Sequence, residues 1–483
     1  MDDSLSAVLA RARERVTPND DERRALEAVA DALVERARQA IEERGIDADV
    51  VLAGSTARGT WLPGERDVDV FVRFPPDVER SALREHGLAI GHDVLENGTE
   101  EYAEHPYVSG PLAVGADDAG AVDAPTAAID SVDVDVVPCY DVETAAQIRS
   151  AVDRTPFHTE YVREGLEGDL ATDVRLAKSF ATAAGIYGSD LRTRGFSGYL
   201  LELLILEYGG FLALLRAVAD WTVPVVLDPA GHGEASFADP LVVVDPTDPR
   251  RNVAAVCSAD NVARFQHHAR AFLDAPSISS FATVEEAQES DETAVGETTD
   301  AGLDADDLLA HVERRGTTPI AVTIPAPKIV EDDLYPQLRT SLSGIVGLLE
   351  REGFDVLRSS SAVADGTALL LLELAVTTRP NVERHEGPPV HVRKHAERFL
   401  ESYEDRTDVY GPFIEEGRYV VERERRATTA RALLESEALF EVQHGVAIER
   451  ALRDGFDLLA GEELTDLLPT FAPALGRHFD PGP

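Results

Sequence analysis

Apolar residues recur at helical spacing through Leu26, Val29, Leu33, Ala37 and Ile41. The stripe follows Pro18-Asn19-Asp20-Asp21-Glu22, a helix-start signal with acids at the positive end of the dipole, and it ends at Gly45. A shorter amphipathic helix is expected over 1–16. The period then changes to two. Val50 to Ala53 reads as a buried strand that stops at a small-residue turn, Gly54-Ser55. Asp67-Val68-Asp69-Val70-Phe71-Val72 alternates, which sets both aspartates on one face of a strand and the valines on the other. Ser131-Val132-Asp133-Val134-Asp135-Val136-Val137 alternates in the same way. Asn97-Gly98 marks a turn, and 111–128, rich in Ala, Gly and Asp, reads as an insertion or exposed turn.

From 141 to 280 the pattern is mainly helical. A helix starts around Pro156, another spans about 168–184, and an apolar helix from Tyr199 to Leu215 breaks or bends near Gly209-Gly210. A strand-like Val242-Val243-Val244 runs into Asp245-Pro246, and a helix through Arg264 to Leu273 closes the block. Residues 283–302 are polar and acidic with little apolar periodicity and read as a linker or mobile loop. The last block mixes helices (338–351, 427–437) with strands (319–324, 368–376, 419–422). The expected architecture is α/β and α+β and multidomain: an α/β block over 1–145 with a mixed sheet, a mainly helical block over 146–282, a linker over 283–302, and an α+β block over 303–483.

The first alternating strand carries the chemistry. Two carboxylates side by side repel each other unless a cation lies between them, and Mg²⁺, a hard ion that takes oxygen ligands and keeps positions open for phosphate, is the expected cofactor. Gly54-Ser55 offers a triphosphate close backbone approach, N–H groups and a hydroxyl, and Arg58 adds a fork of donors. Pairing the two alternating strands would bring a third acid to Asp67 and Asp69, as in-line attack of a hydroxyl on an α-phosphate with two metals requires. Pattern alone leaves Asp133 and Asp135 as equal candidates. In the structural reading of the same stretches, these are solvated acids on strand faces and a helix-capping or core histidine at His158.

Charge complicates the picture. The formal net charge is −44, the reverse of a usual nucleic-acid footprint. Only three lysines occur, Lys178, Lys328 and Lys394, among 45 basic residues. Excess acid with little lysine fits a high-salt cytoplasm, where screening acts over a few ångströms. A lysine kept in such a chain, Lys178, suggests a site that needs a compact point charge. The two cysteines, Cys139 and Cys257, lie far apart in apolar surroundings and are expected to be buried thiols. No run of about 18 apolar residues is present and the N-terminus opens Met1-Asp2-Asp3, so neither a membrane span nor a signal segment is expected.

Several stretches carry a resemblance: Gly54-Ser55-Thr56-Ala57-Arg58-Gly59-Thr60-Trp61-Leu62-Pro63-Gly64, Asp67-Val68-Asp69, Asp135-Val136-Val137-Pro138-Cys139-Tyr140, Arg154-Thr155-Pro156-Phe157-His158, Gly185-Ile186-Tyr187-Gly188, Arg194-Gly195-Phe196-Ser197-Gly198-Tyr199, Asp245-Pro246 with Arg251-Asn252, and Leu334-Tyr335-Pro336-Gln337-Leu338. In this order they resemble the archaeal-type, class I tRNA nucleotidyltransferases of the DNA polymerase β superfamily. The resemblance implies a polymerase-β-like nucleotidyltransferase domain, a central helical nucleotide- and RNA-binding domain, and a C-terminal RNA-binding region. It selects Asp135 as the third acid, beside Asp67 and Asp69, as catalytic residue and metal ligand. It assigns Lys178 to the triphosphate and His158 and Tyr187 to the nucleotide.

The activity implied is template-independent addition of CCA to the 3′ end of tRNA from CTP and ATP. Arg251, with Asn252, is then the candidate for reading the incoming base, and an arginine paired with Asp245 or Asp248 is the structural alternative. Arg384, His385, Arg393, Lys394, Arg398, Arg418, Arg423, Arg425 and Arg426 would track the acceptor arm, unless the interleaved glutamates neutralise them. An adenylate-only polymerase of the same superfamily and a catalytically silent RNA-binding protein of the same fold are the rival readings. A homodimer is compatible with the chain, and the expected location is cytoplasmic.

Overall fold

A computed structural model describes residues 3–102, 105–115, 129–233, 236–284, 286 and 303–483. It divides into two compact units, residues 1–289 and 290–482. Most of the expected insertion at 111–128 and almost all of the linker at 283–302 lie outside the described residues.

The first unit holds two cores. One is built on a five-stranded mixed sheet of β1 (Asp49–Ala53), β2 (Asp67–Phe74), β5 (Ser131–Tyr140), β4 (Pro106–Ala113) and β3 (Thr99–Tyr102), in that order. β2 and β5 run parallel and the other pairs antiparallel. The valines of β2 and β5 face helices α2 (Asp20–Arg44) and α4 (Arg80–Val94), so the alternation buries one face of the central strands and leaves their acids on the other. Helix α2 begins where the sequence says. The Asn19 side chain accepts from the Asp21 and Glu22 amides, and Gly45 ends the helix at φ 63°.

The second core is helical. It gathers α6 (Leu170–Ala183), α7 (Gly198–Tyr208), α8 (Phe211–Ala219) and α9 (Ala259–Asp274) around Phe180, Phe211, Phe265 and Phe272. The N-terminal helix α1 (Asp3–Val16) belongs to this core, not to the sheet that follows it in sequence: Leu5, Leu9, Ala12 and Val16 pack there. The apolar stretch from Tyr199 does bend at the glycine pair. Gly209 and Gly210 both have positive φ, and α7 and α8 meet at 92°. No single helix among the described residues is long and apolar enough to cross a membrane. Cys139 and Cys257 are both free and buried.

In the second unit an antiparallel sheet, in the order β14 (Asp457–Ala460), β8 (Thr318–Pro325), β10 (Thr367–Leu374) and β9 (Val356–Ala364), packs against the helix Glu331–Arg351, and a three-stranded sheet, β11 (Val382–Pro389), β13 (Arg418–Glu424) and β12 (Val409–Glu415), packs against the helix Arg393–Tyr403. Sequence patterning missed β9 (Val356–Ala364), whose run Arg358-Ser359-Ser360-Ser361 hides a strand that is half-buried at every position but the exposed Leu357. Near the end of β10 (Thr367–Leu374) sits a fully buried acid, Glu373. Arg315 donates two hydrogen bonds to it, at 2.5 and 3.0 Å, and Thr317 a third at 2.7 Å. Burial pushes the carboxyl up, and these donors outweigh it and hold its pKa below the usual value. Removing the partner should therefore leave an uncompensated buried charge. Arg315→Ala is expected to destabilise the C-terminal unit by about 3 kcal/mol, read as an earlier urea transition. A change within about 0.5 kcal/mol would contradict the pairing.

Candidate active site

The parallel register of β2 and β5 places Asp67 opposite Asp133 and Asp69 opposite Asp135. The alternating strands thus meet with their acids on one side, as the pairing argument requires. Asp67 and Asp133 lie at the exposed strand starts, and Asp69 and Asp135 are half-buried one step further in. Burial, then the charges of Asp135 and Asp67, push the Asp69 carboxyl up to about 6. Asp67 is raised by burial and by Glu65, Asp133 and Asp135. Among the described residues no group of three or more His, Cys, Asp or Glu side chains is drawn together at ligand spacing. The crowding nonetheless describes carboxylate oxygens short of a positive charge, and a donor set of this chemistry fits a hard divalent cation.

The Gly54-Ser55 turn is the first turn of a short helix, α3 (Gly54–Arg58). Gly54 has φ +71°, and a Cβ built there would sit 1.7 Å from the Asp69 Oδ2. Two requirements meet at that glycine: a left-handed backbone and room for the carboxylate beside it.

The expected cations are all present, and each already has an acid. Arg58 donates from Nε to the fully buried Glu202, 2.9 Å away, and Thr60 donates to the same Glu202 oxygen at 2.5 Å. Lys178, 2% exposed, points its Nζ at Glu65, 3.4 Å away. Burial alone would pull this ammonium down, and Tyr187, Glu65 and Glu202 outweigh it and hold its pKa above the ordinary value. Tyr187 is raised by burial, against the influence of Lys178. His158 donates from Nε2 to Asp245, 2.8 Å away, and stacks on Tyr199 with ring centroids 4.0 Å apart. Arg251 donates to the same Asp245 oxygen at 2.8 Å. Arg251 is thus paired with Asp245, the contact named in the structural alternative, while part of its side chain stays exposed.

Asn252 differs from expectation. Its oxygen accepts from the Val243 and Ala254 amides and its nitrogen donates to Asp239 and to the Leu241 carbonyl. All of its polar capacity goes to tying together the segment 239–254, so it shapes the base-reading candidate instead of joining it. In the C-terminal unit most of the arginines noted are acid-paired: Arg384 with Glu415, Arg393 with Glu397, Arg423 with Glu383, Arg426 with Glu441. Glu65 and Glu202 were missed in the sequence. Glu202 had a signal: it is a lone acid in the apolar run Tyr199 to Leu206, where a carboxylate must have a partner.

Three family models match the chain in order. They are a nucleotidyltransferase domain over residues 34–158, the second domain of tRNA nucleotidyltransferases over 172–282, and the C-terminal domain of CCA-adding enzymes over 315–461. The CCA-adding enzyme of Haloarcula marismortui is 50% identical over an alignment of 497 positions, covering 100% of each chain. The chain belongs to the CCA-adding enzymes. Those of Halobacterium salinarum (52% identical, 99% of each chain) and Methanoregula boonei (41%, covering 95% of this chain and 93% of that one) extend the match. The chain is thereby a tRNA nucleotidyltransferase with a polymerase-β-like domain, of a family that uses divalent metal ions.

Two consequences of this geometry are measurable. Gly54→Ala must move Asp69 or α3, and a displacement of about 1 Å at a reacting centre is enough for a loss of about 100-fold in kcat/KM, with the fold kept. Near-normal turnover would show that the two do not touch. Asp69 is held at about 6 in the folded chain against 3.8 for the free group. The folded state binds the extra proton between those values, so stability falls as pH rises through them and stays low above. Asp69→Asn should therefore stabilise the metal-free protein at pH 8 by up to about 3 kcal/mol, with the gain gone near pH 4. A metal-free variant less stable than the parent at pH 8 would contradict the crowding.

Proposed function

We propose that this chain adds CCA to the 3′ end of tRNA without a nucleic-acid template, taking CTP and ATP and releasing pyrophosphate. Membership of the family supports the activity. The β2–β5 register supports the site assignment, with Asp67, Asp69 and Asp135 as the catalytic acids. Asp135 would help to draw the proton from the terminal ribose hydroxyl, being the deeper of the two β5 acids and opposite Asp69. These three carboxylates would hold the divalent ion, which we take to be Mg²⁺ and which would supply charge neutralisation at the α-phosphate. Ser55, Arg58 and Lys178 are assigned to the triphosphate, His158 and Tyr187 to the nucleotide, and Arg251 to the base. Arg58 and Lys178 would exchange Glu202 and Glu65 for phosphate oxygens, a swap of one anion for another at the same cation.

The domain boundaries proposed are 1–145, 146–282 and 303–483, with α1 packing on the helical domain. The acidic, lysine-poor composition supports a high-salt cytoplasm as the working medium. Screening there weakens long-range attraction to RNA, which fits a C-terminal surface whose arginines are mostly neutralised.

The direct test incubates the protein at molar KCl with tRNA lacking its terminus, Mg²⁺ and CTP alone. Two cytidines should be added, then adenosine once ATP is supplied, and Asp69→Ala should lower the rate by orders of magnitude. Addition of adenosine without cytidine would favour an adenylate-only polymerase. No incorporation of either would favour a silent RNA-binding protein.

A further inference from the structure

Asp245 has no exposed surface, and five donors converge on its two oxygens. His158 Nε2 and Arg251 NH1 meet one oxygen, each at 2.8 Å. The Thr247 amide, the Thr247 hydroxyl and the Tyr199 hydroxyl meet the other, at 2.9, 2.8 and 3.4 Å. These donors come from α5 (Thr155–Gly165), from α7 and from the 245–252 turn. The turn is itself closed by backbone bonds from the Asp245 amide to the Arg251 carbonyl and from the Arg251 amide to the Asp248 carbonyl. The carboxylate is therefore fixed before any substrate arrives. His158 must carry its proton on Nε2 to meet it. Arg251 is anchored at NH1 while a third of its side chain remains exposed, and its other nitrogens bond no described residue.

An arginine can only donate. Cytosine N3 and adenine N1 accept; uracil N3 and guanine N1 carry a hydrogen and donate. A guanidinium held in one orientation at that edge would match C and A and oppose U and G. A guanidinium free to swing would find acceptors on all four bases, at uracil O2 or O4 and guanine O6. We propose, resting on the reading of Arg251 as the base-contacting residue, that Asp245 is the positioning residue that sets nucleotide selection: by pinning Arg251 it turns a general donor into one that rejects U and G.

The experiment measures kcat/KM for CTP and UTP on tRNA lacking its terminus. Asp245→Ala frees the guanidinium, and the UTP/CTP ratio should rise about 10-fold or more, the effect of one mismatched hydrogen bond. Asp245→Asn, of nearly the same volume, can offer its single oxygen either to the His158 and Arg251 side or to the Thr247 and Tyr199 side, and should raise the ratio less. Thr247→Val takes a donor from the same carboxylate but leaves the Arg251 bond, and should keep the parent ratio. A folded Asp245 variant with the parent ratio overturns the proposal. Loss of fold in both Asp245 variants also overturns it, since Asp245 would then be a structural residue. The parent protein separates the two levels: no cytidine addition by the parent would refute the family activity for this chain, whereas normal addition with unaltered selectivity in the variants removes only the role of Asp245.

Discussion

Like-charge crowding on two parallel strands is the constraint around which the first unit is arranged. Asp67, Asp69, Asp133 and Asp135 share a face because β2 and β5 pair in register, and that register is enforced from behind. A slip of one residue would turn Val68, Val70 and Val72 away from α2 and α4 and bring the aspartates into the core. The valines thus specify where the acids go. Burial of a carboxylate and, after it, repulsion from the neighbouring acids together raise the Asp69 carboxyl, a cost that a cation entering the site would relieve.

The surrounding cations relieve it only in part: Lys178 draws the Asp67 carboxyl down and Arg58 the Asp69 carboxyl, and burial and the neighbouring acids outweigh both. Arg58 is committed to Glu202, Lys178 to Glu65, and Arg251 to Asp245. The Arg58 and Lys178 pairs are largely withdrawn from solvent and Asp245 is fully buried, so separating the partners without replacement is unfavourable. A triphosphate brings the replacement, since it offers anionic oxygens to the same cations. A divalent ion brings the complementary charge to the aspartates. The site is consequently short of positive charge at the acids and already balanced at the cations, an arrangement suited to binding metal and nucleotide together.

The elements that position this site were legible in the sequence because their signals are local. Alternation gave β2 and β5, capping gave α2, and the glycine pair gave the bend between α7 and α8. What sequence could not reveal depends on chain segments that meet only in space. Nothing near Gly54 predicts that Asp69 leans against it. Nothing near Leu5 or Leu9 says that α1 crosses to the helical core. The glutamates that hold Arg58 and Lys178 are 144 and 113 residues away in sequence. Strand β9 was hidden because its serines give no apolar alternation, and it is held instead by pairing with β10.

The choice between Asp135 and Asp133 bears most directly on the account. Mn²⁺ binding in the presence of CTP, followed by electron paramagnetic resonance, distinguishes them without turnover. Asp69→Asn and Asp135→Asn should each weaken Mn²⁺ binding about 10-fold or more, whereas Asp133→Asn should leave it close to that of the parent. Mn²⁺ binding that survives Asp135→Asn but is lost in Asp133→Asn would contradict the site as described.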